Sequence, residues 1–185
     1  MLLNTPLCDF GWQAPGFTLS DPAGRVHRFE DLITPGGLLV AFICNHCPYV
    51  QAIASRLATD TRELQDASIG VAAIMSNDYK SYPSDSPENM SRFAEENGFD
   101  FPYLVDEDQS VGRAWGAICT PDFFGLNGQG QLQYRGRLDD AAMGDATKRR
   151  RELVDAMLAI ATTGHGPKVQ TASMGCSIKW ADGSA

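Results

Sequence analysis

Two cysteines three positions apart, Cys44 and Cys47, stand in the stretch "FICNHCPYV" at residues 42–50, with His46 before the second cysteine and Pro48 after it. Such a pair can exchange electrons as dithiol and disulfide, hold a metal, or pack in a core. Only a thiolate attacks a disulfide, and an ordinary cysteine has a pKa of about 8.5. The use of the pair therefore depends on where the fold places it.

The elements around the pair put it between a buried strand and a helix. The continuous apolar run at 37–44 predicts a strand that is buried on both faces, and residues 69–75 predict another. From Pro48 to about Ala67, apolar residues recur on one helical face, so an amphipathic helix is expected there. Strand, helix and strand in this order imply a right-handed parallel crossover. A helix N-terminus lowers the pKa of a thiol, and the position therefore predicts a reactive cysteine.

The remaining segments complete one α/β domain. Turn residues join 17–19 to 26–29 in an N-terminal hairpin, and a turn-rich inserted segment near 76–100 carries a helix from Pro87. Further expectations are a hairpin formed by 122–126 and 131–137, a helix over 147–162, an N-terminal extension (1–13), a domain (14–166), and a loop-like C-terminal tail (167–185) that packs on the domain.

A closed zinc site needs four ligands, and no second Cys-x-x-Cys or His-x-x-x-His follows at a suitable spacing. The sequence therefore predicts no bound metal, and the thiol chemistry expected of the pair requires no organic cofactor. One alternative outside enzymology stays open, in which Cys44, Cys47 and His46 make a non-catalytic metal-binding or redox-sensing site.

Several motifs resemble a known superfamily. The opening "APGFTLSDPAGRVHRFEDL" resembles redoxin and alkyl hydroperoxide reductase/thiol-specific antioxidant (AhpC/TSA) domains, and the similarity runs from about residue 14 to 162. "ICNHCPYV", "CTPDFF", "YRGRLDD" and "SMGCSIKW" together resemble its branch with a Cys-Asn-His-Cys-Pro motif. The resemblance implies a thioredoxin-like fold, with a central mixed sheet flanked by helices, and an oxidoreductase with a redox-active disulfide and antioxidant activity.

The resemblance also implies roles for individual residues. In thioredoxin-like proteins a cis-proline faces the two cysteines and offers backbone to the substrate thiol, and Thr120 and Pro121 resemble that pair. Cys44 and Cys47 are then the catalytic cysteines, and His46, Pro48, Thr120 and Pro121 bind substrate or tune the thiols. Cys176 in the tail is a further candidate, either as a third thiol or as a structural docking residue.

The pattern favours thiol-disulfide exchange over peroxide reduction. Peroxiredoxins share Pro-x-x-x-Thr-x-x-Cys, and here Val40 and Cys44 stand at the proline and threonine positions. Pro121 occupies the position of the peroxide-polarising arginine, and we expect Arg135 and Arg137 to point away from the site. The favoured interpretation is a thiol-disulfide oxidoreductase in which Cys44, the more exposed thiol, attacks and Cys47 resolves.

The alternative is a peroxiredoxin-like hydroperoxide reductase in which Cys47 attacks. Proline is favoured at the first helical position, so Pro48 indicates that the helix begins there and that Cys47 caps it, as the attacking cysteine of a peroxiredoxin would. In that case Cys44 or Cys176 resolves the oxidised cysteine.

Composition limits the partners. The 185-residue chain has a net charge of −8, which repels phosphate backbones, and the basic run 148–151 is expected to be a solvated helix face. No stretch approaches the roughly 20 apolar residues of a membrane span, and no signal peptide is apparent, so a cytoplasmic protein is expected. The expected partners are a protein or small-molecule disulfide or a hydroperoxide, with an external thiol reductant. A homodimer fits the resemblance, whereas nucleic acid and membrane are excluded.

Overall fold

The computed structural model describes residues 1–182 and contains two sheets in that range. The main sheet has seven strands, β2 (Thr18–Ser20), β3 (Val26–Arg28), β4 (Leu38–Phe42), β5 (Gly70–Met75), β6 (Tyr103–Val105), β8 (Asp122–Leu126) and β9 (Leu132–Tyr134). The second sheet has three strands, β1 (Leu2–Asn4), β7 (Cys119–Thr120) and β10 (Met174–Ser177).

Six helices flank the sheets in the described range, α1 (Phe29–Leu32), α2 (Pro48–Gln51), α3 (Ala54–Asp66), α4 (Pro87–Asn97), α5 (Ser110–Trp115) and α6 (Glu152–Thr163), with a 3-10 turn at Pro83–Asp85. Among the described residues, the structure contains no helix that is both long and apolar enough to cross a membrane.

The main sheet is mixed, with strand order β3-β2-β6-β5-β4-β8-β9. Its interior strand β4 pairs parallel with β5 and antiparallel with β8. Every residue of β4 is buried, and its side chains alternate between two core clusters, with Leu39 and Ala41 in one and Val40 and Phe42 in the other. The predicted central mixed sheet flanked by helices is therefore confirmed, and the Cys-x-x-Cys segment leaves the sheet from a fully buried strand.

The predicted N-terminal hairpin and inserted segment are both present. β2 and β3 pair antiparallel, with Leu19 opposite His27. Within 76–100, the Ser86 side chain accepts a hydrogen bond from the N–H of Asn89 and caps α4, and Gly98 ends that helix with a φ of 70°. The insertion matters for the site because its 3-10 turn ends at Asp85.

Two predicted helices differ in extent. The helix expected over 48–67 is divided into α2 and α3, because the N–H of Ile53 bonds to the carbonyl of Val50 and tightens the turn between them. The apolar pattern could not reveal this division, since both pieces share one buried face. The last helix was expected from residue 147 but begins at Glu152.

The basic run before α6 is not the solvated helix face that was predicted. Both terminal nitrogens of Arg149 lie 2.7 Å from the carboxylate oxygens of the fully buried Asp60 in α3. Arg151 adds a 3.1 Å contact to Asp60, and Asp139 pairs with both Arg149 and Arg56. Arg149 and Arg151 thus turn toward buried carboxylates, whereas Lys148 and Arg150 are exposed, and the whole run precedes the helix.

The two ends of the described chain meet in the second sheet. The tail was expected to be loop-like, but it forms β10 between β1 and β7. Beyond β10, Trp180 packs on the core cluster that contains Val40 and Phe42, and the Arg113 guanidinium lies 4.4 Å from its ring centroid. Residues 183–185 of the predicted tail lie outside the described residues.

Asp60→Asn should strongly destabilise the fold. The substitution keeps the side-chain volume but leaves Arg149 and Arg151 facing a neutral group, and breaking a buried ion pair costs about 3 kcal/mol or more. Urea unfolding measures the loss. Glu88→Gln, which removes the exposed pair with Arg92, is the control and should change stability by less than about 0.5 kcal/mol. Equal stability of both variants would contradict a structural role for the Asp60 network.

Candidate active site

The two motif cysteines lie at the junction of strand and helix, where the sequence placed them. Cys44 follows β4 after one residue, and Cys47 directly precedes α2 in an extended conformation, with Pro48 at the first helical position. Proline lacks the N–H that would have no helical partner there, so the helix begins at Pro48 and Cys47 caps it. Cys44 is 1% exposed and Cys47 is fully buried. Cys44 is therefore not the accessible thiol that was expected.

Thr120, which precedes a cis-proline, contacts both cysteines. The Thr120–Pro121 peptide bond is cis, and the two residues link β7 to β8 beside β4. The Thr120 carbonyl oxygen lies 3.1 Å from the Cys47 sulfur, and the Thr120 hydroxyl lies 3.3 Å from the Cys44 sulfur. The structure thus brings Thr120 into contact with the two thiols that the resemblance assigned to it.

Cys176 from the tail completes a cluster of three thiols. β10 pairs with β7 so that Cys176 stands opposite Thr120, and α2 lies against β10. Cys176 packs against the core cluster that contains Cys44 and Cys47, its interaction with Cys47 lowers the pKa of that thiol, and its own side chain is only half-buried. Cys44 and Cys176, which are far from each other in sequence, therefore both lie beside the sulfur of Cys47.

Cys47 is the thiol most easily ionised. The Cys44 thiol donates to Cys47 and lowers its pKa; burial opposes the shift, and donation from Cys176 and from the N–H of Val50 adds to it. The same contact with Cys47, followed by burial and the charge of Asp85, raises the pKa of Cys44. A neutral Cys47 donates to the Thr120 carbonyl, but the donors around its sulfur outnumber that single acceptor. The electrostatics favour Cys47 as the thiolate, the reverse of the expected order.

His46 is paired with a buried carboxylate. Its Nδ1 lies 2.6 Å from Asp85, and this hydrogen bond raises the pKa of His46 against the effect of burial. The His46 ring also stacks on Tyr82, with centroids 5.8 Å apart. Charges on His46 and Cys47 interact, so a protonated His46 favours the Cys47 thiolate.

Asp85 is the site residue that sequence reasoning missed. Its side chain is fully buried, and it accepts hydrogen bonds from the N–H of Asn45 and the side-chain amide of Asn77, both at 2.8 Å. Burial opposes its ionisation, but bonds from His46, Asn77 and Asn45 hold the pKa of Asp85 below its usual range. Nothing in the turn-rich sequence around residue 85 distinguishes this aspartate from its neighbours, because Asn45 and His46, the partners that connect it to the motif, lie 40 and 39 residues upstream.

A metal is the other occupant to consider. Ligand atoms of Cys44, His46 and Asp85 lie within 4.8 Å of one another. Among the described residues this group offers three ligands, one fewer than a closed zinc site requires. Because the oxygens of Asp85 already accept bonds from Asn45, Asn77 and His46, the arrangement suits a hydrogen-bonded histidine–aspartate pair better than a metal.

Arg135 and Arg137, the arginines that could have polarised a peroxide, both form ion pairs with other residues. Arg135 was expected to point away from the site, and it does: it is 8% exposed and pairs at 2.8 Å with the buried Asp122. Its guanidinium lies 4.3 Å from the ring centroid of Phe124, in the core cluster on the opposite face of the sheet from the thiols. Burial raises the pKa of Asp122 to about 6, against the lowering effect of Arg135. Arg137 pairs with Glu152.

Known proteins with similar sequences are redoxins. A candidate peroxiredoxin of Mycobacterium tuberculosis is 24% identical over 160 residues, which cover 86% of this chain and 91% of that protein. The thiol-disulfide oxidoreductase ResA of Geobacillus thermodenitrificans is 26% identical over 129 residues, or 66% of each chain.

Solved structures agree with this grouping. An uncharacterised conserved protein from Geobacillus kaustophilus superposes with a TM-score of 0.92 at 38% identity, covering 100% of this chain and 98% of that chain. The thioredoxin domain of a thiol-disulfide oxidoreductase from Bacteroides vulgatus gives a TM-score of 0.58 at 16% identity, covering 70% and 89%. The fold is thus thioredoxin-like. Because the family's sequence model matches residues 10–135, most of the chain, this protein belongs to the AhpC/TSA family.

Proposed function

We propose that this redoxin is a thiol-disulfide oxidoreductase that cycles Cys44 and Cys47 between dithiol and disulfide. The observation that carries the proposal is the placement of both thiols, at the start of α2, against one residue: the Cys47 sulfur lies 3.1 Å from the carbonyl oxygen of Thr120 and the Cys44 sulfur 3.3 Å from its hydroxyl. This arrangement holds the resolving thiol beside Cys47, and the interaction with Cys44 lowers the pKa of Cys47. The proposal reverses the order expected from sequence, because Cys47 rather than Cys44 attacks first.

The proposed reaction needs no cofactor. The Cys47 thiolate attacks one sulfur of a substrate disulfide, a mixed disulfide forms, and the first substrate thiolate leaves. Cys44 then gives up its proton and attacks the Cys47 sulfur, and the second substrate thiolate leaves. Two electrons pass to the substrate, and an external thiol reductant in a reducing cytoplasm restores the pair. Thr120 and Pro121 are the proposed backbone contact for the substrate.

A second candidate is hydroperoxide reduction at Cys47. The helix start at Pro48 and the lowered pKa of Cys47 favour it. In that reaction the Cys47 thiolate attacks an oxygen of the peroxide, the O–O bond breaks, and the resulting sulfenic acid condenses with Cys44 to a disulfide and water. Against it, Cys44 replaces the peroxiredoxin threonine, and the charge of Arg135 is paired with Asp122.

Stopped-flow oxidation of the reduced protein by oxidised glutathione and, separately, by hydrogen peroxide should separate the two reactions. We expect fast exchange with glutathione disulfide, slow reaction with peroxide, and a Cys44–Cys47 bond in mass spectrometry. Cys47→Ser should abolish exchange, Cys44→Ser should retain release of the first glutathione, and Cys8→Ser is the control. Fast peroxide consumption with a sulfenic acid on Cys47 would instead establish peroxidase chemistry.

The non-catalytic metal-binding alternative has its own test. Elemental analysis of the purified protein should find less than a stoichiometric amount of zinc or copper after dialysis. One metal ion per chain that resists dialysis, and that is lost in Asp85→Ala, would contradict the oxidoreductase proposal.

His46→Gln should make Cys47 less acidic. A protonated His46 supports the thiolate, and its removal also leaves the charge of Asp85 less compensated, so both effects raise the pKa of Cys47. The midpoint of the pH dependence of Cys47 alkylation should move upward by about one pH unit. His27→Gln, which disrupts the separate His27–Asp21 pair on the hairpin, is the matched control. An unchanged midpoint in His46→Gln would contradict a tuning role.

A further inference from the structure

The proposed reaction raises a problem of access. Cys44 and Cys47 have essentially no exposed surface, whereas Cys176, which stands opposite Thr120 and packs against the cluster that contains Cys47, is half-buried and reaches solvent. A small disulfide or thiol that reacted directly with Cys44 or Cys47 would have to reach a buried sulfur, so direct exchange requires the site to open, whereas exchange through Cys176 does not. Of the three clustered thiols, Cys176 is the one that such a molecule can meet at the surface.

The position of Cys176 depends on an unusually close approach of β10 to β7. A Cβ atom on Gly175 would lie 1.9 Å from the carbonyl oxygen of Thr120, so a larger residue would push the two strands apart. Thr120 is also the residue in contact with both motif thiols. Gly175 therefore allows the tail to bring Cys176 within reach of Cys47.

Contacts on both sides of β10 keep the strand in this place. Before it, the hydroxyl of Ser173 donates to the carbonyl of Pro121 at 2.7 Å. After it, the N–H of Lys179 donates to Asn77 at 2.8 Å, and Gln109 donates to the carbonyl of Lys179 at 2.8 Å. A half-buried cysteine fixed from both ends beside a buried sulfur is arranged for exchange with that sulfur.

We propose that Cys176 is a relay thiol through which the buried Cys44–Cys47 disulfide is reduced by small thiols in solution, an inference that rests on the proposed function. Cys176 attacks the Cys47 sulfur, the Cys47–Cys176 bond forms, the Cys44–Cys47 bond breaks, and Cys44 takes up the proton that Cys176 lost. An external thiolate then attacks Cys176 and releases Cys47. A second external thiol frees Cys176 and leaves with the first as their disulfide, so two electrons enter the protein.

Trapping tests the relay bond directly. In Cys44→Ser, treatment with oxidised glutathione should release two glutathione molecules per chain and leave a Cys47–Cys176 disulfide, identified by peptide mass mapping. In the double variant Cys44→Ser/Cys176→Ser, release should stop at one and Cys47 should remain glutathionylated. Persistent glutathionylation of Cys47 in Cys44→Ser itself would overturn the relay.

Kinetics test its use in the intact pair. Reduction of the oxidised protein by reduced glutathione should be at least tenfold slower in Cys176→Ser than in the wild type. It should be unchanged in Cys8→Ser, which removes another half-buried thiol. Gly175→Ala keeps the Cys176 thiol but displaces β10, so it should slow reduction in the same direction. Wild-type rates in Cys176→Ser and Gly175→Ala would overturn the inference.

The two proposals fail in different ways. If the wild type forms no Cys44–Cys47 disulfide with oxidised glutathione, the proposed function fails and the relay fails with it. If that disulfide forms and Cys176→Ser is reduced at the wild-type rate, the relay alone fails and the oxidoreductase proposal stands.

Discussion

Thr120 is the residue on which the geometry of the site depends. It ends β7 in the small sheet, and one residue later β8 begins in the main sheet beside β4. Its carbonyl and hydroxyl contact the two motif cysteines, while its backbone pairs with Cys176. A shift of this crossing between the sheets would separate all three thiols at once. The small sheet is therefore part of the site and not a decoration of the termini.

Buried carboxylates with specific cationic or amide partners fix the elements around that crossing. Asp85 attaches the insertion to the Cys-x-x-Cys segment through Asn45 and His46. Asp122, on the opposite face of the main sheet, holds Arg135. Each carboxylate would be costly without its partner, and together with its partner it selects one arrangement of the chain. On one face of the main sheet the charges of Asp122 and Arg135 are paired with each other, and the thiols lie on the opposite face.

The sequence predicts the elements whose signal is local. Continuous apolar runs identify β4 and β5, Gly98 marks the end of α4, and Pro48 marks the start of α2 with Cys47 as its cap. These features follow from burial and backbone preference, which act on neighbouring residues. The central sheet and the place of the Cys-x-x-Cys motif were therefore accessible from the sequence.

The features that sequence reasoning missed depend on distant partners. β1, β7 and β10 have two to four residues each, too few to show a period of two, and they form because they pair with one another. The basic run before α6 looks like a solvated helix until Asp60 is known to lie opposite Arg149. Cys44 lowers the pKa of Cys47 most, but Cys176 lowers it further, and the distance of Cys176 from Cys47 in sequence gives no indication of their contact.

The residue three positions before Cys47 argues most directly for disulfide chemistry. A threonine at that position, as in the peroxiredoxin pattern, offers a hydroxyl that can donate a hydrogen bond but cannot form a covalent bond to sulfur. Cys44 offers a thiol that donates to Cys47 and can then replace that hydrogen bond with a disulfide. In the proposed reaction, Cys44 therefore expels the sulfur bound to Cys47, a step that a threonine at this position could not perform. With the guanidinium of Arg135 on the far face of the sheet, the site is better built to exchange thiols than to polarise an oxygen–oxygen bond.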